Sequence, residues 1–329
     1  MQMVDALVCP EPGRLRLEAR PAPRPLPGEV LVRPRRVGIC GTDYHIFEGR
    51  HPFLQYPRVM GHELAVEVVE APEGSALAPG EIAVVNPYLA CGDCLACRKG
   101  RPNCCASVSV LGVHQDGGMT GLMSLPSGHL VRAEGLSLDA CAAVEFLAIG
   151  AHAVRRGAIT EGDRVLVIGA GPIGIGAALF ARLAGGEVAI HDRDAQRAEV
   201  AAALAGAATL ADEPPREAFD VVLEATGNPQ AMEQGFEIVA YCGRYVLVGI
   251  VKERIGFSDQ DFHRRELTLL ASRNATSPDF DRVIAAIRDG HVPGERLLTH
   301  RTDLAGAVRD LPRWATDKAD LIKAVIEIG

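Results

Sequence analysis

An α/β chain, with a doubly wound parallel sheet in one domain and a mainly β architecture in the other, is what the 329-residue sequence predicts. Three observations carry that prediction. At roughly 150 residues per domain the length suits two domains, each able to bury a core without disulfides. From Asp163 onward short apolar strands alternate with stretches of helical period, the pattern of βαβ units and a parallel sheet. Before residue 145 the chain is rich in Pro, Gly and short β-type runs, which suits a domain of strands and turns.

The elements follow in order. Glu29 to Arg33 and Leu64 to Val69 read as strands of the β-rich stretch. Asp163 to Ile168 is an apolar strand that meets a glycine turn, and a helix runs from the turn to about Ala184. Next come a strand at Glu187 to His191, a helix from about Asp194 to Leu204, a strand at Asp220 to Glu224, a helix after Asn228 and a strand at Arg244 to Val248. Leu267 to Ala271 is an apolar strand, expected to sit at a buried edge. Beyond Leu270 the alternation stops. Ser277 as N-cap with Pro278 in the first turn starts a helix whose stripe is Phe280, Val283, Ile284 and Ile287, and Gly290 ends it. A last strand, Leu321 to Ile328, finds no place among the βαβ units, which sends the C-terminus back to the first domain. The expected domains are 1–148 with 273–329, and 149–272.

Composition excludes several classes. With 34 basic against 42 acidic side chains the formal charge is −8, so neither nucleic acid nor an anionic membrane is an expected partner. The N-terminus shows no basic segment leading into an apolar one, and the cytoplasm is the expected compartment. The apolar run from Val165 to Ala181 is broken by Gly169, Gly171, Pro172, Gly174 and Gly176, which fits a strand turning into a helix better than a membrane span. Nine cysteines in such a chain do not read as a disulfide framework, since five fall between Cys91 and Cys105.

Gly169-Ala170-Gly171-Pro172-Ile173-Gly174 matches the dinucleotide fingerprint G-x-G-x-x-G between a strand and a helix. The glycines let the backbone approach a pyrophosphate, whose charge then sits at the helix N-terminus. Asp192, eighteen residues past Gly174, closes the second strand where a carboxylate accepts bonds from the adenosine ribose. It repels a 2′-phosphate and favours NAD over NADP, although Arg193 beside it could receive that phosphate.

Two sets of residues carry metal-ligand chemistry. Cys91, Cys94, Cys97 and Cys105 are spaced to surround one tetrahedral zinc, a closed and therefore structural site, with Cys104 as the spare thiol. The second set is dispersed: Cys40, His62 with Glu63, and Glu145. An ionised Glu145 inside an apolar run needs a cation or strong donors to compensate it. Mixed sulfur, nitrogen and oxygen ligands with an open position suit a catalytic zinc.

These motifs, together with Cys40-Gly41-Thr42-Asp43-x-His45, Gly61-His62-Glu63 and Ser272-Arg273-Asn274, resemble the zinc-dependent medium-chain dehydrogenases, in particular the polyol (sorbitol-type) branch. The resemblance implies a GroES-like catalytic domain, a Rossmann NAD-binding domain, and a homodimer or homotetramer acting on a small molecule. It also implies two zinc ions per chain. Cys40, His62 and Glu145 would hold the catalytic one, Glu145 standing where alcohol dehydrogenase has a second cysteine. Glu63 would bond to a ligand or ligate transiently, and Cys141 is an alternative ligand. Thr42 would take the substrate proton and pass it through the cofactor ribose to His45, and Arg273 would lie near the nicotinamide. Ser109 to Gly118 and Phe262 to Glu266 look most like the members that oxidise L-galactonate or L-gulonate at carbon 5. An arginine such as Arg273 or Arg58 would meet the acid, and Phe47 and His114 are candidate pocket residues. Phe146 and Val66 depart from the family pattern, which has Pro and Gly there. Arg264-Arg265-Glu266 reads as a solvated face. A threonine or other amino-alcohol dehydrogenase, and a non-catalytic NAD-binding structural or sensor protein, remain as alternatives.

Overall fold

A computed structural model describes residues 2–51, 54–318 and 320–329. The chain divides into two compact units, one formed by residues up to Glu145 together with Thr276–Gly329, the other by Phe146–Ala275. The sequence expectation placed these boundaries at 148/149 and 272/273.

The first unit is built on a seven-stranded sheet whose path runs Leu130–Arg132, Ile82–Val85, Glu63–Glu70, Glu29–Ile39, Lys323–Glu327, Leu298–Asp303, with Met123–Pro126 also paired to Glu29–Ile39. The Glu29–Ile39 strand runs six residues past its expected end. It passes through Pro34, where its pairing with Glu63–Glu70 shifts register, because proline has no N–H for the ladder. Val30, Val32, Val37, Leu64, Val66 and Val68 point from these strands into one core with Leu7, Leu125, Ile326 and Trp314. Val66 is fully buried there and fills volume a glycine would leave empty. The final strand, Lys323–Glu327, pairs antiparallel with Glu29–Ile39 and parallel with Leu298–Asp303, so the C-terminus completes this sheet.

The second unit is a six-stranded, wholly parallel sheet in the order Ala208–Thr209, Glu187–His191, Arg164–Ile168, Phe219–Glu224, Val239–Leu247, Thr268–Ala271. The order reverses beside Arg164–Ile168, the strand that feeds the glycine turn; ligands bind such sheets outside the carboxyl ends of the strands at this point. Helices Pro172–Leu183, Ala195–Ala205 and Pro229–Ile238 cross between strands, the last two capped by Asp194 and Asn228 side chains. The two-residue strand Ala208–Thr209 is too short to leave a sequence pattern.

Three expectations need correction. The helix Ser277–Arg288 is capped by Thr276, whose side chain forms a reciprocal box with Asp279, and Ser277 is already its first residue. Thr268–Ala271 is an edge strand with most residues exposed, so its apolar character does not mark a buried edge. Arg265 is not solvated: it is 4% exposed and donates to the carbonyls of Phe236, Val239 and Asp261, which replace water around the guanidinium.

Candidate active site and metal centres

The four-cysteine lobe assembles locally. Cys94 precedes the short helix Leu95–Arg98, and the turn of Pro102–Cys104 returns Cys105 to the others. The four sulfurs lie within 4.8 Å of one another, Cys94 and Cys97 at 3.5 Å and Cys91 and Cys105 at 3.5 Å. All are free thiols. The backbone N–H of Cys91 donates to Cys105 Sγ, and such donation lowers that thiol to about 6. Four sulfurs packed this closely, two of them, Cys94 and Cys105, biased toward thiolate by backbone N–H donors, fit a tetrahedral dication. Cys104 is exposed and outside the set.

The dispersed set is brought together by strand pairing. Cys40 ends the Glu29–Ile39 strand and caps helix Gly41–Phe47, while Glu63 opens the neighbouring strand with His62 just before it. Ligand atoms of Cys40, His62 and Glu63 lie within 4.8 Å of one another. His62 Nδ1 lacks a hydrogen-bond partner among the described residues, and Asp43 Oδ1 stands 4.0 Å from it. Burial alone would lower His62, but the bond with Cys40 and the charge of Asp43 outweigh it and hold the imidazole well above its usual range. Asp43 Oδ2 accepts from the Cys40 N–H (2.8 Å), which ties the helix start to this corner.

Glu145 sits in the first turn of helix Val144–Arg156 and is 3% exposed. The phenol of Tyr88 donates to its carboxylate. Burial pushes that carboxyl up to about 7, against the opposing pull of His62. Asp43, Glu63 and Glu145 are three buried carboxylates, faced by the imidazole of His62 and the buried ammonium of Lys323. An excess of negative groups in a site from which water is excluded fits a divalent cation. Neither Glu145, expected as the third ligand, nor Cys141 joins the group of ligand atoms formed by Cys40, His62 and Glu63, and burial pushes the Cys141 thiol to about 12.

The remaining predicted residues fall as follows. Thr42 is half-buried and its Oγ1 lies 3.9 Å from Cys40 Sγ; His45, one turn on along Gly41–Phe47, is exposed. Gly171 caps the helix that Pro172 begins, with Ile173 in its first turn, and Gly169 has φ +108°. Gly174 packs so closely on the turn that a Cβ there would meet the carbonyl oxygen of Gly169. Asp192 Oδ2 accepts from the Ala170 N–H inside the turn (2.8 Å), and Oδ1 from the Asp194 N–H (3.0 Å). Arg193 and Arg273 are exposed. Phe47 packs against the core and His114 Nδ1 accepts from the Val110 N–H, so both serve their own unit's structure. Arg58 is committed to Asp116 and the Gln55 carbonyl, which withdraws it as a partner for a substrate acid.

Sequence reasoning missed Lys323, Tyr88 and Glu224. Lys323 and Glu224 each left a signal, a charge directly beside an apolar run of its strand. Glu224 is fully buried at the end of Phe219–Glu224 and accepts from the Thr226 N–H and hydroxyl.

Because Asp192 braces the glycine turn and is the carboxylate expected from the sequence to read the ribose, Asp192→Ser is expected to weaken NAD binding more than it strengthens NADP binding. The ratio of NADP to NAD in kcat/KM should rise by roughly tenfold or more as repulsion of a 2′-phosphate is removed. A wild-type preference for NADP would show that Asp192 does not read the ribose.

Comparison with known proteins agrees with the fold. Residues 26–135 match the alcohol dehydrogenase GroES-like domain and residues 172–289 the zinc-binding dehydrogenase domain. The chain is 40% identical over 340 residues to L-galactonate-5-dehydrogenase of Escherichia coli (strain K12), covering 99% of each. The crystal structure of the rspB alcohol dehydrogenase from E. coli CFT073, complexed with NADH, superposes with a TM-score of 0.93 at 28% identity and 99% coverage of both chains. A zinc-binding dehydrogenase from Sinorhizobium meliloti 1021 bound to NADP gives 0.91 at 28% identity, with 100% of both chains covered. The chain belongs to the medium-chain zinc-dependent alcohol and polyol dehydrogenases, and its two units are the GroES-like and Rossmann-like domains of that family. Among the described residues no helix is long and apolar enough to cross a membrane.

Proposed function

We propose that this dehydrogenase oxidises a secondary hydroxyl of a sugar acid, L-galactonate or L-gulonate at carbon 5, to the ketone with NAD. The observation that carries the reading is the 40% identity over 99% of both chains to L-galactonate-5-dehydrogenase. In this reading Cys40 and His62 hold the catalytic zinc with Glu145 or Glu63, and the four cysteines hold the structural one. When bound, zinc supplies Lewis-acid polarisation of the hydroxyl and NAD supplies the hydride acceptor.

The chain's own residues do the rest. Gly169, Gly171 and Gly174 admit the cofactor backbone and Asp192 orients the ribose end. Thr42 Oγ1 receives the hydroxyl proton and returns its own toward His45, whose exposed imidazole releases a proton to water. Asp43 fixes Cys40 and the following helix, and so the position of Thr42. A homodimer or homotetramer is part of the reading, supported by the exposed edge strand Thr268–Ala271 and by Ile250, 85% exposed.

The test is kinetic. Each aldonate is compared with its alditol, with NAD and NADH absorbance as readout. The aldonate is expected to win by at least about tenfold in kcat/KM, because polar pocket groups left unpaired penalise the poorer substrate. Equal or better turnover of the alditol would leave a general polyol dehydrogenase.

A further inference from the structure

We propose that Glu224 is a positioning residue for the cofactor: from inside the parallel sheet its carboxylate sets the two strand-end loops, 225–228 and 248–250, that flank the nicotinamide half of the dinucleotide. The proposal rests on the reading of the glycine turn as the dinucleotide site. Glu224 ends the strand Phe219–Glu224, level with Ile168 on one side and Leu247 on the other. Ile168 leads into the glycine turn, and Leu247 into Val248 and Gly249. Backbone bonds tie the three loops at their roots. The Ala225 N–H donates to the Ile168 carbonyl (2.8 Å), and the N–H groups of Val248 and Gly249 donate to the Glu224 carbonyl (2.9 and 3.0 Å). Each half of a doubly wound sheet takes one nucleotide. The glycine turn and Asp192 belong to the half expected to take the adenosine end, and the loops after Phe219–Glu224 and Val239–Leu247 belong to the other.

The Glu224 side chain carries the fixation outward. Its Oε1 accepts from the Thr226 N–H (2.7 Å) and from the Thr226 hydroxyl. That hydroxyl oxygen accepts from the Asn228 N–H (3.0 Å), and the Asn228 side chain caps helix Pro229–Ile238 through the Ala231 N–H (3.0 Å). One carboxylate oxygen therefore fixes its loop as far as the helix start. The other lies against the neighbouring loop, since a Cβ on Gly249 would stand 2.6 Å from Oε2. This Oε2 has no hydrogen-bond partner among the described residues. Burial raises the carboxyl above its usual range, opposed by Thr226 and by the nearby N–H groups of Gly227 and Gly249. Thr226 and Ile250 on these loops are exposed, while Glu224 is 0% exposed. An apolar side chain could fill the space without burying a charge. What the carboxylate adds is acceptors that hold the loops in one conformation before the cofactor arrives, which spares the cost of ordering them on binding.

The test titrates the full-length, zinc-loaded protein by calorimetry with NADH and with ADP-ribose, which lacks the nicotinamide. Glu224→Gln keeps the size and one acceptor oxygen but sets an amide NH2 among N–H groups. Its NADH affinity is expected to fall by about tenfold or more, the scale of ordering one or two loop residues on binding, while ADP-ribose affinity stays within about twofold. Thr226→Val keeps a methyl group against the glycine turn but removes the hydroxyl link, and should show the same split at a smaller size. Zinc content and melting temperature report folding, and Thr226→Val carries the test alone should Glu224→Gln not fold. Unchanged NADH affinity in the folded variants overturns the proposal. So does an equal loss of NADH and ADP-ribose, which would make Glu224 a general support of the sheet. A wild type that binds neither ligand overturns the dinucleotide reading and this proposal together. The variants are judged on binding alone, so a selective loss of NADH supports the role of Glu224 even where the sugar-acid reading fails.

Discussion

His62→Ala protein is expected to carry one zinc per chain where the wild type carries two, and to lose roughly 10³-fold or more in kcat/KM. Polarisation of the hydroxyl is worth several kcal/mol, and each ~1.4 kcal/mol is a factor of ten in rate. The four-cysteine metal should remain, because its ligands come from a separate local turn. Metal analysis after mild chelation, run beside turnover, gives both numbers. Glu145→Ala and Glu63→Ala then divide the carboxylates. The one that ligates should lose metal and activity together, and the other should keep the metal. Two tightly held zincs and near-native turnover in His62→Ala would remove this corner of the molecule as a catalytic centre.

Gly174→Ala is the other large effect expected, on the nucleotide-binding unit. The new Cβ would run into the carbonyl of Gly169, so helix Pro172–Leu183 and the turn must separate. Forcing atoms into a packed backbone contact costs about 1–3 kcal/mol. NADH affinity should fall by roughly a hundredfold, read by fluorescence titration, and the melting temperature should drop. Gly171→Ala makes the comparison, since nothing lies within 4 Å of a Cβ there. It should leave the melting temperature nearly unchanged yet weaken NADH, because the added methyl stands where the pyrophosphate approaches. Native NADH affinity in both variants would show that this turn does not hold the cofactor.

The parallel sheet was legible because most of its strands and helices are written over five to twelve consecutive residues, and hydrophobic period is a local signal. Boundaries were less so. Thr276 rather than Ser277 caps its helix because Asp279 completes a reciprocal pair with it, a choice made between adjacent hydroxyls by side-chain geometry. Arg265 read as a surface charge, yet its acceptors are carbonyls at 236 and 239, brought to it only when Val239–Leu247 takes its place in the sheet.

By itself the sequence determined the residue types that could bind: four cysteines in one lobe, glycines at a strand end, and Cys40, His62, Glu63 and Glu145 scattered along the β-rich stretch. Only the tertiary structure decided how they meet. Register between Glu29–Ile39 and its two neighbours places Glu63 beside Cys40 and His62 and sets Lys323, 260 residues away in the chain, against it. Packing within the first unit gives Glu145 to Tyr88, and pairing in the parallel sheet of the second gives Asp192 to the Ala170 N–H. Local patterns state what a residue can do in water or in a core. Which buried carboxylate is answered by which donor depends on distances that strand pairing alone sets, and in a medium that screens charge poorly those distances govern the chemistry.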